Sequence, residues 1–314
     1  MHVQMLPILE SGEETLVGGQ AVMEGVMMRA PHSYCVAVRK ATGEMVTEEM
    51  PVARVSEKHP IFKLPVFRGL GVLGQAMSLG MKALSFSANA ALDDGSAEEK
   101  KEMPKWMMYG QVAFSLIFFI VLYKLIPLLI TNYVTKWVPA LQGQILSSLV
   151  DGIIRIALFV GFLLLLCRSK EIRRTFEYHG AEHKVVFNFE SRTPVTVENA
   201  QKFVTFHPRC GTSFMFVIMF ISMLVYMVIP VHGFAEKFTL RIVMLPVITG
   251  FSYELIRFAA KRQGSFMALL TAPGLWMQRI TTQQPSDSQT EVAIKALEGA
   301  MALEAAQDGE LVIA

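Results

Sequence analysis

The chain has 314 residues, of which 52% are hydrophobic and 18% charged, and its net charge is +2. Soluble domains carry about 25% charged residues, so a purely soluble protein is disfavoured, and a charge so near balance excludes nucleic acid as the main partner. Cys35, Cys167 and Cys210 stand far apart without a repeated spacing, which excludes a disulfide framework.

In chain order, the first fourteen residues show no basic leader before an apolar core, so no cleaved signal peptide is expected. Residues 18–29, GGQAVMEGVMMR, follow no clean period. Residues 34–39 and 44–50 flank Ala41-Thr42-Gly43 and predict a hairpin with a glycine turn. Beyond them Val66, Leu70, Leu73, Met77, Met81 and Leu84 recur in steps of three and four, the period of an amphipathic helix. Gly69, Gly71, Gly74 and Gly80 each weaken such a helix by up to about 1 kcal/mol. A surface must therefore support it: either the membrane interface or the bundle itself, with a soluble core helix as the alternative. Residues 93–104 read as a solvated linker.

Four apolar segments follow, at 107–130, 145–167, 214–231 and 240–258, and a span needs about 20 such residues. Asp151 and Arg155 in the second lie four apart and can neutralise each other. Basic residues crowd one side of the spans, among them Lys100, Lys101, Lys105, Arg168, Lys170, Arg173, Arg174 and Lys261. Only Lys136, Lys237 and Arg241 mark the other side. The basic side is expected to be cytoplasmic, with both termini and the connection after Arg168. Pro273-Gly274 reads as a turn, and Ser288 with Glu291 as a capping box opening a final amphipathic helix to about residue 306.

The expected architecture is mainly α. It is a polytopic membrane protein of four transmembrane helices with a small hairpin-containing N-terminal cytoplasmic region and amphipathic interfacial helices. Its parts are an N-terminal region (1–105), a first transmembrane hairpin (106–167), a cytoplasmic loop (168–213), a second hairpin (214–258) and a tail (259–314).

The loop carries the chemistry. His179 and His183 are four apart and project from one helical face. With Glu182 between them they make the H-x-x-E-H order of the inverted zincins, in which the histidines hold zinc and the glutamate is the general base. His207 and Cys210 offer further ligands. Two short-spaced pairs of N/S ligands equally describe a closed structural site, which leaves no position for water. The third ligand of an open site is left among His207, Cys210 and Glu254, and the metal among Zn, Fe, Mn and Co. A straight continuation of the second span would carry His179 about 18 Å past the apolar edge, while Cys210 adjoins the third span. The chain must therefore bend after Cys167, and a short helix beginning near Thr196 is expected to return it. The site then lies at the membrane surface rather than at mid-bilayer.

Several blocks together resemble one family. GGQAVMEGVMMR (18–29), HGAEHK (179–184), HPRCGTSF (207–214), FSYELIR (251–257) and APGLW (272–276) resemble the hallmark stretches of the YqhQ-like bacterial membrane proteins, a domain of unknown function whose members are described as metal-dependent enzymes. The resemblance spans nearly the whole chain. It implies a metal, with zinc as the leading candidate, and a bacterial cytoplasmic (inner) membrane location, and it leaves the reaction open. The leading expectation is a hydrolase acting near the membrane surface, on a lipid-linked or membrane-protein substrate. Its ligands are His179, His183 and either Cys210 or His207, with Glu182 as base. The alternative is a non-enzymatic scaffold or membrane-protein biogenesis factor with a structural metal or none.

Overall fold

The computed structural model describes residues 17–53, 55–91, 105–231, 233–261 and 265–306. The linker expected at 93–104 and the extreme N-terminus lie outside the described residues.

Four strands form one antiparallel meander: β1 (Gly18–Val22), β2 (Gly25–Arg29), β3 (Ser33–Arg39) and β4 (Met45–Pro51). The expected hairpin is β3–β4, with Gly43 at φ +88° in its turn. A second hairpin precedes it: GGQAVMEGVMMR folds back at Met23-Glu24, pairing Gly19 with Met28 and Ala21 with Val26. Its pattern is obscure because both faces of the sheet are covered, so the strands lack apolar–polar alternation. Val26, Met28, Cys35 and Ala37 pack on one side against helices from later in the chain. Val22, Met27, Tyr34, Val36 and Val38 pack on the other, against Leu79, Ala83 and Ala90.

Those three residues belong to α2 (Phe67–Ala91), which follows the short α1 (Val55–Lys58). Three of the four glycines of α2, Gly69, Gly71 and Gly80, are contact points, and Gly74 faces open space. A Cβ on Gly69 would meet Tyr253 at 2.7 Å, and one on Gly80 would meet the Gln20 side chain at 2.5 Å. The glycine face thus lies on protein, and Met77, Met81 and Leu84 of the apolar stripe remain exposed.

Four helices are long and apolar enough to cross a membrane: Gly110–Trp137, Gln144–Leu166, Gly211–Val228 and Phe234–Phe258. The first runs seven residues beyond the expected end at 130. It joins α3 (Lys105–Ile120) to α4 (Ile126–Trp137) through a π turn at Val121–Leu125, next to Pro127, whose ring nitrogen has no hydrogen to give. The second span is α5 (Gln144–Leu166), the third α8 (Gly211–Val228) and the fourth lies in α9 (Phe234–Lys261). Glycine again sets a close approach: a Cβ on Gly152 of α5 would sit 2.3 Å from the Met223 sulfur of α8. Outward-facing Phe114, Ile117, Ile145, Leu165 and Val243 leave the bundle apolar outside.

The expected turn at Pro273-Gly274 is absent. α10 (Ser265–Thr281) runs straight through it. Gly274 is there because α10 touches α8: a Cβ would lie 2.6 Å from that of Ser213. The capping box also lies elsewhere. Ser286 Oγ accepts from Gln289 N–H at 3.3 Å, and Gln289 Oε1 accepts from Ser286 N–H at 2.8 Å, so the box is Ser286/Gln289. Glu291 instead pairs with Arg39. The helix thus opened, α11 (Asp287–Ala306), lies across β2, β3 and α6. It buries Val292, Ala293, Ala296, Leu297 and Ala300 in the sheet's core.

Between α5 and α8 runs the loop of interest. α5 stops at Leu166, and α6 (Lys170–Glu190) starts a new helix with Ser169 accepting from Ile172 N–H. The short α7 (Val197–Gln201) follows, capped by Thr196 as expected. The bend that the helix arithmetic demands is therefore at Cys167–Ser169.

Candidate metal centre

His179 and His183 lie one turn apart on α6, with ring centroids separated by 4.4 Å. Gly180 between them admits a neighbouring strand of chain: a Cβ there would fall 2.0 Å from the Gln283 carbonyl oxygen. Gln283 N–H in turn donates to the Phe176 carbonyl at 2.9 Å. The same stretch brings the Thr281 carbonyl to His179 Nδ1 at 2.8 Å. The Thr205 carbonyl meets His183 Nδ1. A carbonyl only accepts, so both Nδ1 atoms carry the hydrogen and both Nε2 lone pairs are free to coordinate.

Cys210 supplies the third atom. It precedes Gly211, where α8 begins, and its sulfur lies 3.3 Å from His179 Nε2. The ligand atoms of His179, His183 and Cys210 all lie within 4.8 Å of one another. Zinc held tetrahedrally at about 2.0–2.3 Å keeps its ligand atoms roughly 3.3–3.8 Å apart, so the three need only small adjustments to share an ion.

Beside them is a cavity of about 120 Å³, bounded by Gly18 and Gly19 of β1 as well as the histidines. Glu182 lines it, with Oε2 3.4 Å from His183 Nε2. Gly19 N–H donates to the Glu182 carboxylate, and a Cβ on Gly19 would lie 2.6 Å from Glu182 Cγ. Burial raises the Glu182 pKa, an effect opposed by His179, His207 and Arg209 nearby. Burial also pushes His183 down and His207 down to about 4. Both imidazoles are thus neutral near pH 7, the form that binds metal.

His207 lines the same cavity but stands outside the three converging ligands. Its ring packs on Phe187 at 4.6 Å between centroids, and its Nε2 is 3.6 Å from Glu190 Oε2. Gln278 of α10 fixes the loop there, accepting from His207 N–H at 2.7 Å and donating to its carbonyl at 2.7 Å. Arg209 pairs with Glu190. Glu254 is held elsewhere: it pairs with Arg68 and accepts from Val66 N–H at 3.3 Å. Gln20 rests on Gly80, and Glu24 pairs with Arg174 and Tyr178, so neither reaches the centre.

Sequence reasoning missed Gln278, Glu190 and the carbonyls of Thr205 and Thr281. Gln278 had a signal, a lone amide in an apolar helix. The carbonyls had none, because every residue carries one.

The family described as "Protein of unknown function (DUF1385)" matches residues 64–303. The chain belongs to this family. The DUF1385 match thus covers α2 through most of α11 and includes every residue of the centre on α6 and before α8. The chain is also 32% identical over 298 residues to the uncharacterized protein YqhQ of Bacillus subtilis (strain 168), covering 92% of this chain and 93% of that protein. The relative's alignment length thus extends beyond the residues matched by the DUF1385 family. No solved structure matches.

Proposed function

We propose that this membrane protein is a metal-dependent, zinc-type hydrolase of the bacterial cytoplasmic membrane. Its centre faces the cytoplasm, and its substrate is a lipid-linked molecule or membrane-protein segment held at the bilayer surface. The observation that carries the reading is the convergence of two tautomer-locked histidines and a cysteine beside a buried carboxylate and a cavity. Three protein ligands leave a fourth position, the arrangement of catalytic rather than structural zinc. An ion held by His179, His183 and Cys210 supplies Lewis acidity. Glu182, its carboxyl raised by burial, takes the proton from attacking water. Exposed Met77, Met81 and Leu84 of α2 supply an apolar face for the same interface.

One observation favours a second reading, a scaffold or biogenesis factor with a structural metal. The His207 ring lies only 5.5 Å from that of His183, so a turn of that side chain would close the set at four.

Metal analysis of protein purified in detergent, with X-ray absorption to count ligands, separates the two. The hydrolase reading expects about one zinc per chain with three protein ligands, lost in His183→Ala and Cys210→Ala. Glu182→Gln keeps the metal, and turnover, once a substrate class is found, falls at least about a hundredfold. Four protein ligands would establish the staple. A folded protein that takes up no metal when zinc is supplied would remove both readings.

A further inference from the structure

The bundle holds a second polar cluster, far from the metal centre. Lys124 of the π turn, Asp151 and Arg155 of α5 and Arg241 of α9 are all buried. Asp151 pairs with Arg155 and, at 2.8 Å, with Arg241. All three cations stand 5.4–5.9 Å from the centroid of the Tyr226 ring. Among the described residues this group has three cationic side chains and one carboxylate, inside helices apolar enough to span. Charge left unbalanced in such surroundings is costly, and ionisable groups at this depth usually serve a ligand.

A cavity of about 90 Å³ meets the cluster at Arg241 and at the Tyr226 ring that all three cations share. It opens among the ends of α4, α5, α8 and α9 opposite the sheet, and Thr131, Asn132, Tyr226, Lys237 and Arg241 line it. Its volume is several times what one water molecule needs. Two of its hydroxyls, Thr131 Oγ1 and Tyr226 Oη, are buried without a hydrogen-bond partner. Thr131 and Tyr226 are each 5% exposed. Hydroxyl donors, a guanidinium fork and a lysine at the rim together offer what a tetrahedral oxyanion accepts.

We propose that this cavity binds a phosphate-type oxyanion, held from Arg241 and Lys237, whose charge offsets the excess positive charge of the Lys124/Arg155/Arg241 cluster behind it. The oxyanion comes either from free phosphate or from the headgroup of an anionic phospholipid, since both present the same charged phosphate oxygens to hydroxyl and guanidinium donors.

The full chain, purified in a neutral detergent, is titrated with inorganic phosphate while its unfolding temperature is followed, with potassium chloride at matched ionic strength as control. In parallel, the protein is released from nanodiscs containing equal phosphatidylglycerol and phosphatidylcholine, and retained lipid is identified by native mass spectrometry. A saturable rise with phosphate identifies the free ion as ligand, and selective retention of phosphatidylglycerol identifies the headgroup. Either supports the site, provided Tyr226→Phe weakens it about tenfold or more, as loss of a hydrogen bond to a charged group should. Tyr226→Phe keeps the ring and removes only the hydroxyl, and Thr131→Ala and Lys237→Gln are independent checks. Folded wild type that shows neither response, or three variants that bind as wild type does, would overturn the proposal.

Discussion

Gly180 shows how one missing side chain shapes the centre. The space where its Cβ would stand belongs to a carbonyl oxygen of Gln283, and backbone cannot swing aside as a flexible side chain does. Gly180→Ala should therefore cost about 1–3 kcal/mol, the usual penalty for overpacking. Because the displaced stretch also carries the Thr281 carbonyl that meets His179 Nδ1, retention of the proposed zinc should fall with stability. Thermal unfolding and metal analysis of the one variant read both effects, and an unaltered variant would mean that the stretch does not rest on α6. His207 makes a second prediction. Its pKa is near 6.5 in the unfolded chain and depressed to about 4 in the native one. Between these values only the unfolded chain binds the proton, so the stabilisation is full above about pH 6.5 and is lost as pH falls toward 4. The total is about 3 kcal/mol. Unfolding of metal-free protein at pH 7.5, 6 and 5 should show this decline, and His207→Gln should flatten it.

At the scale of elements, the start of α11 separates two possible caps. Ser286→Ala should destabilise the helix by about 1 kcal/mol, because Ser286 and Gln289 exchange reciprocal hydrogen bonds. Ser288→Ala should change little; a larger loss there, measured by chemical or thermal unfolding, would restore the box read from sequence. The misplacement has a simple cause: Ser286-x-x-Gln289 and Ser288-x-x-Glu291 satisfy the same pattern two residues apart, and only the contact of Glu291 with Arg39 separates them. The spans were legible because apolar length is a local property. So was the α6 pair of histidines, whose juxtaposition depends only on helical period. The β1–β2 hairpin was not, since its strands are covered on both faces and Glu24 at φ +51° turns the chain without glycine. Pro273-Gly274 misled because proline and glycine commonly end helices. Here the glycine serves a helix crossing with Ser213 instead. No local rule exposes a partner that lies sixty residues away.

The whole molecule has a sheet-and-helix layer assembled from distant parts of the chain. The sheet is enclosed by α2 on one side and by α6 and α11 on the other, so Cys35 of β3 is fully buried against Gly299 of α11. Burial lifts the Cys35 thiol to about 12, with Glu49 adding to the effect. A thiol in that state reacts slowly, so maleimide at pH 8 should leave Cys35 unmodified in the native protein and label it on unfolding. Removing residues 287–314 should expose it, with labelling at least tenfold faster by mass spectrometry. Equal protection in the shortened chain would mean that α11 does not seal the sheet. The position of α11 also bears on biosynthesis. β1 to β4 leave the ribosome early, while the helix that covers them emerges only after all four spans. Until then α6 packs on β1 and β2, while Cys35 of β3 stays open on the face that α11 will cover. A nascent chain stalled before residue 287 consequently carries every residue that lines the His179/His183/Cys210 cavity while Cys35 still lacks its cover, so the candidate centre is complete in sequence before the sheet is sealed.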